Sequence, residues 1–562
     1  MIKKHDADLP DYALVERQTL MTGTGLSDKA LNGLQIGVVS SWGEINPASI
    51  HLNRVAEAVK AGIWSAGGTP REFVISSICT SMAGYDNYHL PHRDLVAGYI
   101  EAVAQTNLFD AMVFIPVCDD VIPGHLMAAG RLNLPSVVVT GGYMRLNRYK
   151  GIILDPLAVA PKHYADFKEG KTSEKDYFQI KDRGCPGFGA CPVMGTANTM
   201  ACLAEALGMS LPGNAATPGA DSRLMRLAFQ AGQQVVELHR RGIKPSDIMT
   251  LKAFRNAIRA LMAIGGSTNG VLHLQAIAAE LDLNIPLEMF NSISQETPFI
   301  CDIQPSGNHL MVDFDEAGGL PVVMKELESM MDTDAITVTG QSLSMLLGKT
   351  FHSDGKVICL SDTPLSKEGG LIFLKGNLAP NGALIKKSAV PVQMYQHRGP
   401  ARIFQREEDA CDALNSGKLN PGDVVVVRYV GPRGSPGMYL LQRFLWRLAA
   451  RGLQDKIAFI TDGRISGTNK GCAVVHISPE AATGGPLAIV MENDIIEIDI
   501  PNGKLNIKIS DEDMNERFRK WKIPNPKVTK GYLSIYAKMA NSADKGAALR
   551  YGPPDSDDSS KE

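Results

Sequence analysis

Three short loops carry the residues able to do chemistry. The first is Cys118-Asp119-Asp120, set just after an apolar run. Carboxylates suit Mg²⁺ and a thiolate suits iron, so this loop offers both kinds of donor. Asp is also a good helix cap, and the loop alone does not separate the two uses. The second runs Gly184-Cys185-Pro186-Gly187-Phe188-Gly189-Ala190-Cys191 and leads straight into a helical pattern. Its glycines permit close backbone approach, and the helix start favours an anionic guest such as a thiolate-bound cluster. On spacing alone, a tight turn with buried cysteines accounts for it better. The third is Thr461-Asp462-Gly463-Arg464-Ile465-Ser466-Gly467, with Cys472 after it. A serine between glycines can present its hydroxyl, although the nucleophile-elbow frame is absent. Two further glycine loops, Gly376–Gly382 and Gly265–Asn269, are candidates to hold a small anion by backbone N–H groups.

These loops need a scaffold. Leu34–Ser40, Phe73–Ile78, Ala111–Val117 and Ser136–Thr140 read as strands. Pro47–Ala66, Asp94–Gln105 and His125–Leu132 read as the helices between them. Alternation at this spacing predicts a parallel sheet with helices on both faces. Functional loops then belong at the carboxyl ends of the strands. Cys79 stands at the end of the strand expected beside the one that delivers Cys118. A helical middle follows, with Met200–Leu207, Ser222–Arg241 and Leu251–Ile264. Residues 355–370 are loop-like. Beyond them Gly422–Tyr429, Lys456–Ile460, Leu487–Val490, Ile495–Ile500 and Leu505–Ile509 predict a β-rich, barrel-like second domain. The expected division is an N-terminal arm (1–33), an α/β domain (34–362), a barrel-like domain (363–550) and an acidic disordered tail (551–562).

The chain has 562 residues, 44% hydrophobic and 21% charged, with net charge −3. That excludes nothing globular, and it argues against nucleic acid or an acidic membrane as partner. The nine cysteines are odd in number and scattered, as in a reducing compartment. No signal-like or membrane-length apolar run is seen, so the cytoplasm is the expected location.

Taken together, the segments resemble the family of dihydroxy-acid, 6-phosphogluconate and sugar-acid dehydratases. The resemblance rests on SWGEINP (Ser41–Pro47), PVCDDVIPGHLMAAGRLNLP (Pro116–Pro135) and TANTMACLAEALGMSLPG (Thr196–Gly213). It extends to GGSTNGVLHL (Gly265–Leu274), GNLAPNGALIK (Gly376–Lys386), GPAR (Gly399–Arg402), TDGRISG (Thr461–Gly467) and SPEAA (Ser478–Ala482). The resemblance implies an iron–sulfur cluster on three cysteines with Mg²⁺ beside it, and a homodimer or homotetramer. It also implies loss of water from a 2,3-dihydroxy acid to give a 2-keto acid, with the serine of the DGR-x-SG loop as base.

Carried over by position, Ser466 is the base, and Cys118 and Cys191 are two cluster ligands. The first cluster cysteine is replaced by Ala48. One Mg²⁺ ligand is kept as Asp119. The others fall on Thr80 (with Asp86 as a displaced equivalent), on Asp120 in place of a carbamylated lysine, and on Val430 in place of a glutamate. Cys79 and Cys185 are the candidate replacement thiolates. Asp119 and Asp120 are the candidate metal carboxylates, and with Ser466 the candidate catalytic groups. The expected activity is a hydro-lyase on a small hydroxy or polyhydroxy carboxylic acid with a non-standard metal site. Two alternatives stay open: acid/base chemistry without cluster or Mg²⁺ on Cys79, Asp119 and Ser466, or a non-catalytic binding paralogue. Without Mg²⁺, 2,3-dihydroxyisovalerate is not expected to turn over at a useful rate. Gln442-Arg443-Phe444 suggests a remodelled substrate pocket.

Overall fold

The structure, a computed structural model, describes residues 10–79, 82, 87–156, 159–468 and 470–549. Four parallel strands form the first sheet: β1 (Leu34–Ser40), β2 (Gly68–Val74), β3 (Ala111–Ile115) and β4 (Ser136–Val138), in the order β2-β1-β3-β4. The apolar runs of β1, β3 and β4 are buried on both faces, as a helix-covered parallel sheet requires, while the edge strand β2 is half exposed beyond Pro70. The crossovers are Leu52–Ser65, His89–Asn107 and Val121–Leu132. The helix Ser222–Arg241 lies against Leu52–Ser65. Its N-cap Asp221 accepts from Arg223 N–H at 2.9 Å, and Gly242 ends it at φ 68°. The two helices touch at Gly62, where a β-carbon would stand 2.0 Å from Phe229 O, so any side chain there would push them apart.

A small hairpin follows, β5 (Asn147–Tyr149) with β6 (Ile152–Leu154). The later strands are β7 (Ile372–Gly376), β8 (Ala379–Ile385), β9 (Gln396–Phe404), β10 (Val424–Val427), β11 (Leu440–Leu441), β12 (Ala458–Thr461), β13 (Arg464–Ile465), β14 (Ala473–Ser478), β15 (Ile495–Asp499) and β16 (Lys504–Ile507). Eight of them close a mixed barrel in the order β10-β12-β14-β8-β7-β16-β15-β9, which leaves no free sheet edge. β10 is four valines, all fully buried, each contributing about 1.5–3 kcal/mol relative to exposure. The α/β sheet and the barrel are thus as expected.

Several details differ. The second strand is Gly68–Val74 and not Phe73–Ile78, so Cys79 lies five residues beyond its end. β1 separates β2 from β3, so the strands carrying Cys79 and Cys118 are not neighbours. Residues 486–489 form a 3₁₀ turn instead of a strand, because Pro486 opens it and cannot donate to a ladder. β7, β8, β9 and β14 carry polar or glycine residues that hide the strand pattern. The Gly376–Gly382 segment is a hairpin turn, not an anion loop: Asn377 is stitched to Ile507 through both its amide oxygen and nitrogen. Phe444 is buried in the core, stacked 5.5 Å from Phe459.

Sheet and barrel are joined at the start of the His89–Asn107 helix. There Arg93, fully buried, donates to Gly546 O and Ala547 O, both at 3.1 Å, and Asp94 accepts from Leu549 N–H at 2.9 Å.

Candidate active site at the sheet and barrel junction

The site gathers around the N-terminus of the helix Thr196–Ala206. Asn198 fixes the approaching cysteine loop by donating to Cys191 O at 2.7 Å and Val193 O at 2.8 Å. From the sheet side, the Asp119 carboxylate accepts from Ala197 N–H in the first turn. From the barrel side comes the serine loop. A β-carbon on Gly467 would stand 2.8 Å from Ser267 Cβ and 3.1 Å from Thr196 N, so glycine is what lets the loop reach the helix. Asn269 ties the loop down, donating to Ile465 O at 3.2 Å and to Thr196 Oγ1 at 3.1 Å. Ser466, partly exposed, shares a hydrogen with Thr468 Oγ1 at 2.9 Å and accepts from Thr468 N–H at 3.4 Å.

Three thiols share this place. Cys118 and Cys79 are hydrogen-bonded to each other, and Cys191 lies within electrostatic reach of both. Cys118 has a left-handed backbone, φ 79°, an unfavourable conformation for a residue with a β-carbon. The bond to Cys118 pulls the Cys79 thiol down to about 7, whereas the same bond together with burial pushes Cys118 up. Burial, and after it Asp119, pushes Cys191 up. Burial also raises Asp119, against the opposing pull of His89. Cys185 is exposed, 4.0 Å from Met144 Sδ and 3.8 Å from Gly187 O; it lies within electrostatic reach of Cys191 but is not hydrogen-bonded to another thiol.

The three inner thiols fit a polynuclear cluster in donor type, their other partners being Asp119, 3.9 Å from Cys118, and the Met82 backbone at Cys79. Among the described residues no three His, Cys, Asp or Glu side chains converge on one ion, so a mononuclear centre does not fit them. Ala48, where the resemblance expects a cysteine, is buried and contributes no donor.

The expected Mg²⁺ corner is different. Asp120 is fully buried, and both its oxygens are taken. Arg464 Nη1 lies 3.3 Å from Oδ2, His89 Nδ1 makes a close contact with the same oxygen, and His273 Nε2 is 3.2 Å from Oδ1. Burial pushes the Asp120 carboxyl up, but Arg464 and His89 outweigh it and hold it well below the usual range. Val430 lies against Gly463 and brings no oxygen, while Asp462 spends its carboxylate on Tyr429, Val430 and Ala481 N–H groups. Thr80 and Asp86 lie outside the described residues. The described residues do not fit Mg²⁺: one free carboxylate, Asp119, is too few hard donors.

Sequence reasoning did not assign roles to Arg464, His89, His273 or Lys386. Arg464 sits inside the TDGRISG motif, and Lys386 ends GNLAPNGALIK. Lys386 is buried and donates to Gly467 O at 3.2 Å; burial, with Lys470 nearby, lowers its ammonium to about 7.

A parallel sheet with a serine loop and thiols at its strand ends, closed by a mixed barrel, defines a class. Residues 34–346 match the dihydroxy-acid/6-phosphogluconate dehydratase N-terminal family and residues 356–547 its C-terminal counterpart. The chain belongs to this family of carbon–oxygen hydro-lyases. A protein of Acetivibrio thermocellus named dihydroxy-acid dehydratase is 48% identical over 537 residues, 95% of this chain and 97% of its own. One of Moorella thermoacetica with the same name is 46% identical across 97% of this chain and all of its own. A third, of Methanosarcina barkeri, is 42% identical across 95% of this chain and 97% of its own. No helix among the described residues is long and apolar enough to cross a membrane.

Proposed function

We propose that this chain removes water from a small hydroxy or polyhydroxy carboxylic acid to give a 2-keto acid, with an iron–sulfur cluster on Cys79, Cys118 and Cys191 and without Mg²⁺. The observation that carries this reading is that Asp119, bound to the N-terminus of the Thr196–Ala206 helix, stands beside the thiols while Gly467 of the serine loop packs against the same terminus. Such a terminus favours a bound carboxylate through its free N–H groups and dipole.

Ser466 is the base. Its oxygen takes the proton from C2 of the acid while the hydroxyl on C3, taking a proton from the Asp119 carboxyl, departs as water; the enol left behind gains a proton at C3 and loses one from its C2 hydroxyl to become the keto acid. Thr468 holds Ser466 Oγ in place with its N–H and hydroxyl. Asn269 and Thr196 hold the loop, so the hydroxyl stays aimed at the helix end. Asp119, bound to the same helix end, keeps its carboxyl beside the thiols as the remaining acid/base group. When bound, the cluster would supply a Lewis acid for the departing hydroxyl. Asp120 and Arg464 keep that corner closed and charged without metal. The reading extends to a homodimer or homotetramer in the cytoplasm.

The test is iron and acid-labile sulfide on anaerobically purified protein, with a screen of sugar acids and 2,3-dihydroxyisovalerate for keto-acid formation. Stoichiometric iron and sulfide, with product from at least one sugar acid, is expected. A colourless, iron-free protein that releases no keto acid would overturn the proposal.

A further inference from the structure

Lys386 follows β8 at the point where the barrel meets the sheet, and it is 5% exposed. Among the described residues it forms no ion pair. Its ammonium donates to one acceptor, Gly467 O at 3.2 Å, the carbonyl next to Ser466. The nearest charge acting on it is another cation, Lys470. A buried ammonium carries three N–H donors, and leaving two unused without a counter-charge is costly. Such a group persists when its surroundings are over-determined for some other purpose. The anion that would satisfy it is within one residue: an ionised Ser466. A serine hydroxyl needs an adjacent positive charge to ionise near neutral pH. The Mg²⁺ corner cannot supply one, because Arg464 is neutralised by Asp120.

We infer that Lys386 is the positioning residue that makes Ser466 ionisable, its protonated ammonium standing beside the serine loop on the Gly467 carbonyl. Ser466 gives its proton to water from its exposed side. Lys386 stabilises the oxygen left behind by the field of its charge, from its place on the Gly467 carbonyl. It touches no substrate and transfers no proton.

This rests on the reading of Ser466 as the base, so the test does not use turnover. The full-length protein is incubated with phenylmethanesulfonyl fluoride, and modification of Ser466 is followed by peptide mass spectrometry. Lys386→Met removes the charge at similar length, and Lys386→Gln is the second variant in case the first does not fold. Either variant is expected to slow labelling of Ser466 by roughly tenfold to a hundredfold, the usual loss when one fixed electrostatic group is removed. Their melting temperatures should stay at or above that of the wild type, because an unpaired buried cation is gone. Equal labelling rates in wild type and folded variants, or a wild-type Ser466 that is not labelled at all, would overturn the inference. Keto-acid formation is measured separately on the wild type. Lysine-dependent labelling in a protein with no dehydratase activity would support this inference and reject the function proposed above.

Discussion

The two corners of the candidate site differ in what they offer a metal. At the thiol corner Ala48 offers no donor, but Cys79 is hydrogen-bonded to Cys118 and Cys191 lies within electrostatic reach of both. At the carboxylate corner, among the described residues, Asp120 has both oxygens occupied and Val430 brings no side-chain oxygen. An internal ion pair, Asp120 with Arg464, fills the space instead. Soft ligands are interchangeable wherever a loop brings sulfur within reach. A hard divalent ion needs several oxygens in a fixed array, so losing two or three ends binding altogether.

Replacing Cys118 or Cys191 by Ser should produce the largest effect. Iron and sulfide content should fall to background and dehydration should cease, whereas Cys185→Ser should retain the full iron content. Iron retained by Cys118→Ser, or lost in Cys185→Ser, would break the contrast at its thiol side.

Next in size is Asp120→Asn, which leaves Arg464 buried without its counter-charge. A loss of about 3–5 kcal/mol in unfolding free energy is expected from denaturant titration. The pH dependence has a definite sign. The Asp120 carboxyl is held low when folded, so its contribution is complete above the ordinary unfolded value of about 3.9 and is lost as pH falls below it. The deficit of Asp120→Asn should therefore be equal at pH 5 and pH 8 and shrink below about pH 4. A deficit that changes between pH 5 and pH 8 would assign it to another group.

Thr468→Val removes the hydroxyl partner of Ser466 and leaves the fold intact. One such hydrogen bond is worth about 0.5–1.5 kcal/mol, so kcat should drop by roughly two- to tenfold. An unchanged kcat would show that Ser466 is oriented by something else.

Magnesium should do nothing. If Mg²⁺ bound the native state at a hundred times its Kd, it would add about 2.7 kcal/mol, readily seen as a rise in melting temperature. No rise and no effect of EDTA on turnover are expected; a saturable rise would rebuild the second corner as a metal site.

The sheet and the barrel were legible because each rests on a local pattern. Val424–Val427 can only be a buried strand, and Cys118 leaves β3 at the end where parallel sheets place their sites. Strand order was not legible. The crossover lengths do not say that β1 enters between β2 and β3, and so the route of Cys79 to Cys118 was misplaced by one strand. The fate of Asp120 was hidden for a similar reason. Arg464 and His89 are polar residues of ordinary appearance, 344 and 31 positions away in the chain, and only closure of the barrel against the sheet brings them together. Lys386 was invisible because it lies at the end of a strand whose Pro380, Asn381 and Gly382 mask its periodicity.

The Arg93 clamp on Gly546 and Ala547 has a consequence for how the chain is made. Asp120 leaves the ribosome long before Arg464, and the carbonyls that satisfy Arg93 come later still. Through most of synthesis the nascent sheet therefore holds charged side chains whose partners do not yet exist. The His89–Asn107 helix gains its contacts with Gly546, Ala547 and Leu549 only when those residues arrive. A chain cut short near residue 540 would carry the complete TDGRISG loop and every cysteine, yet still lack the segment that locks sheet to barrel.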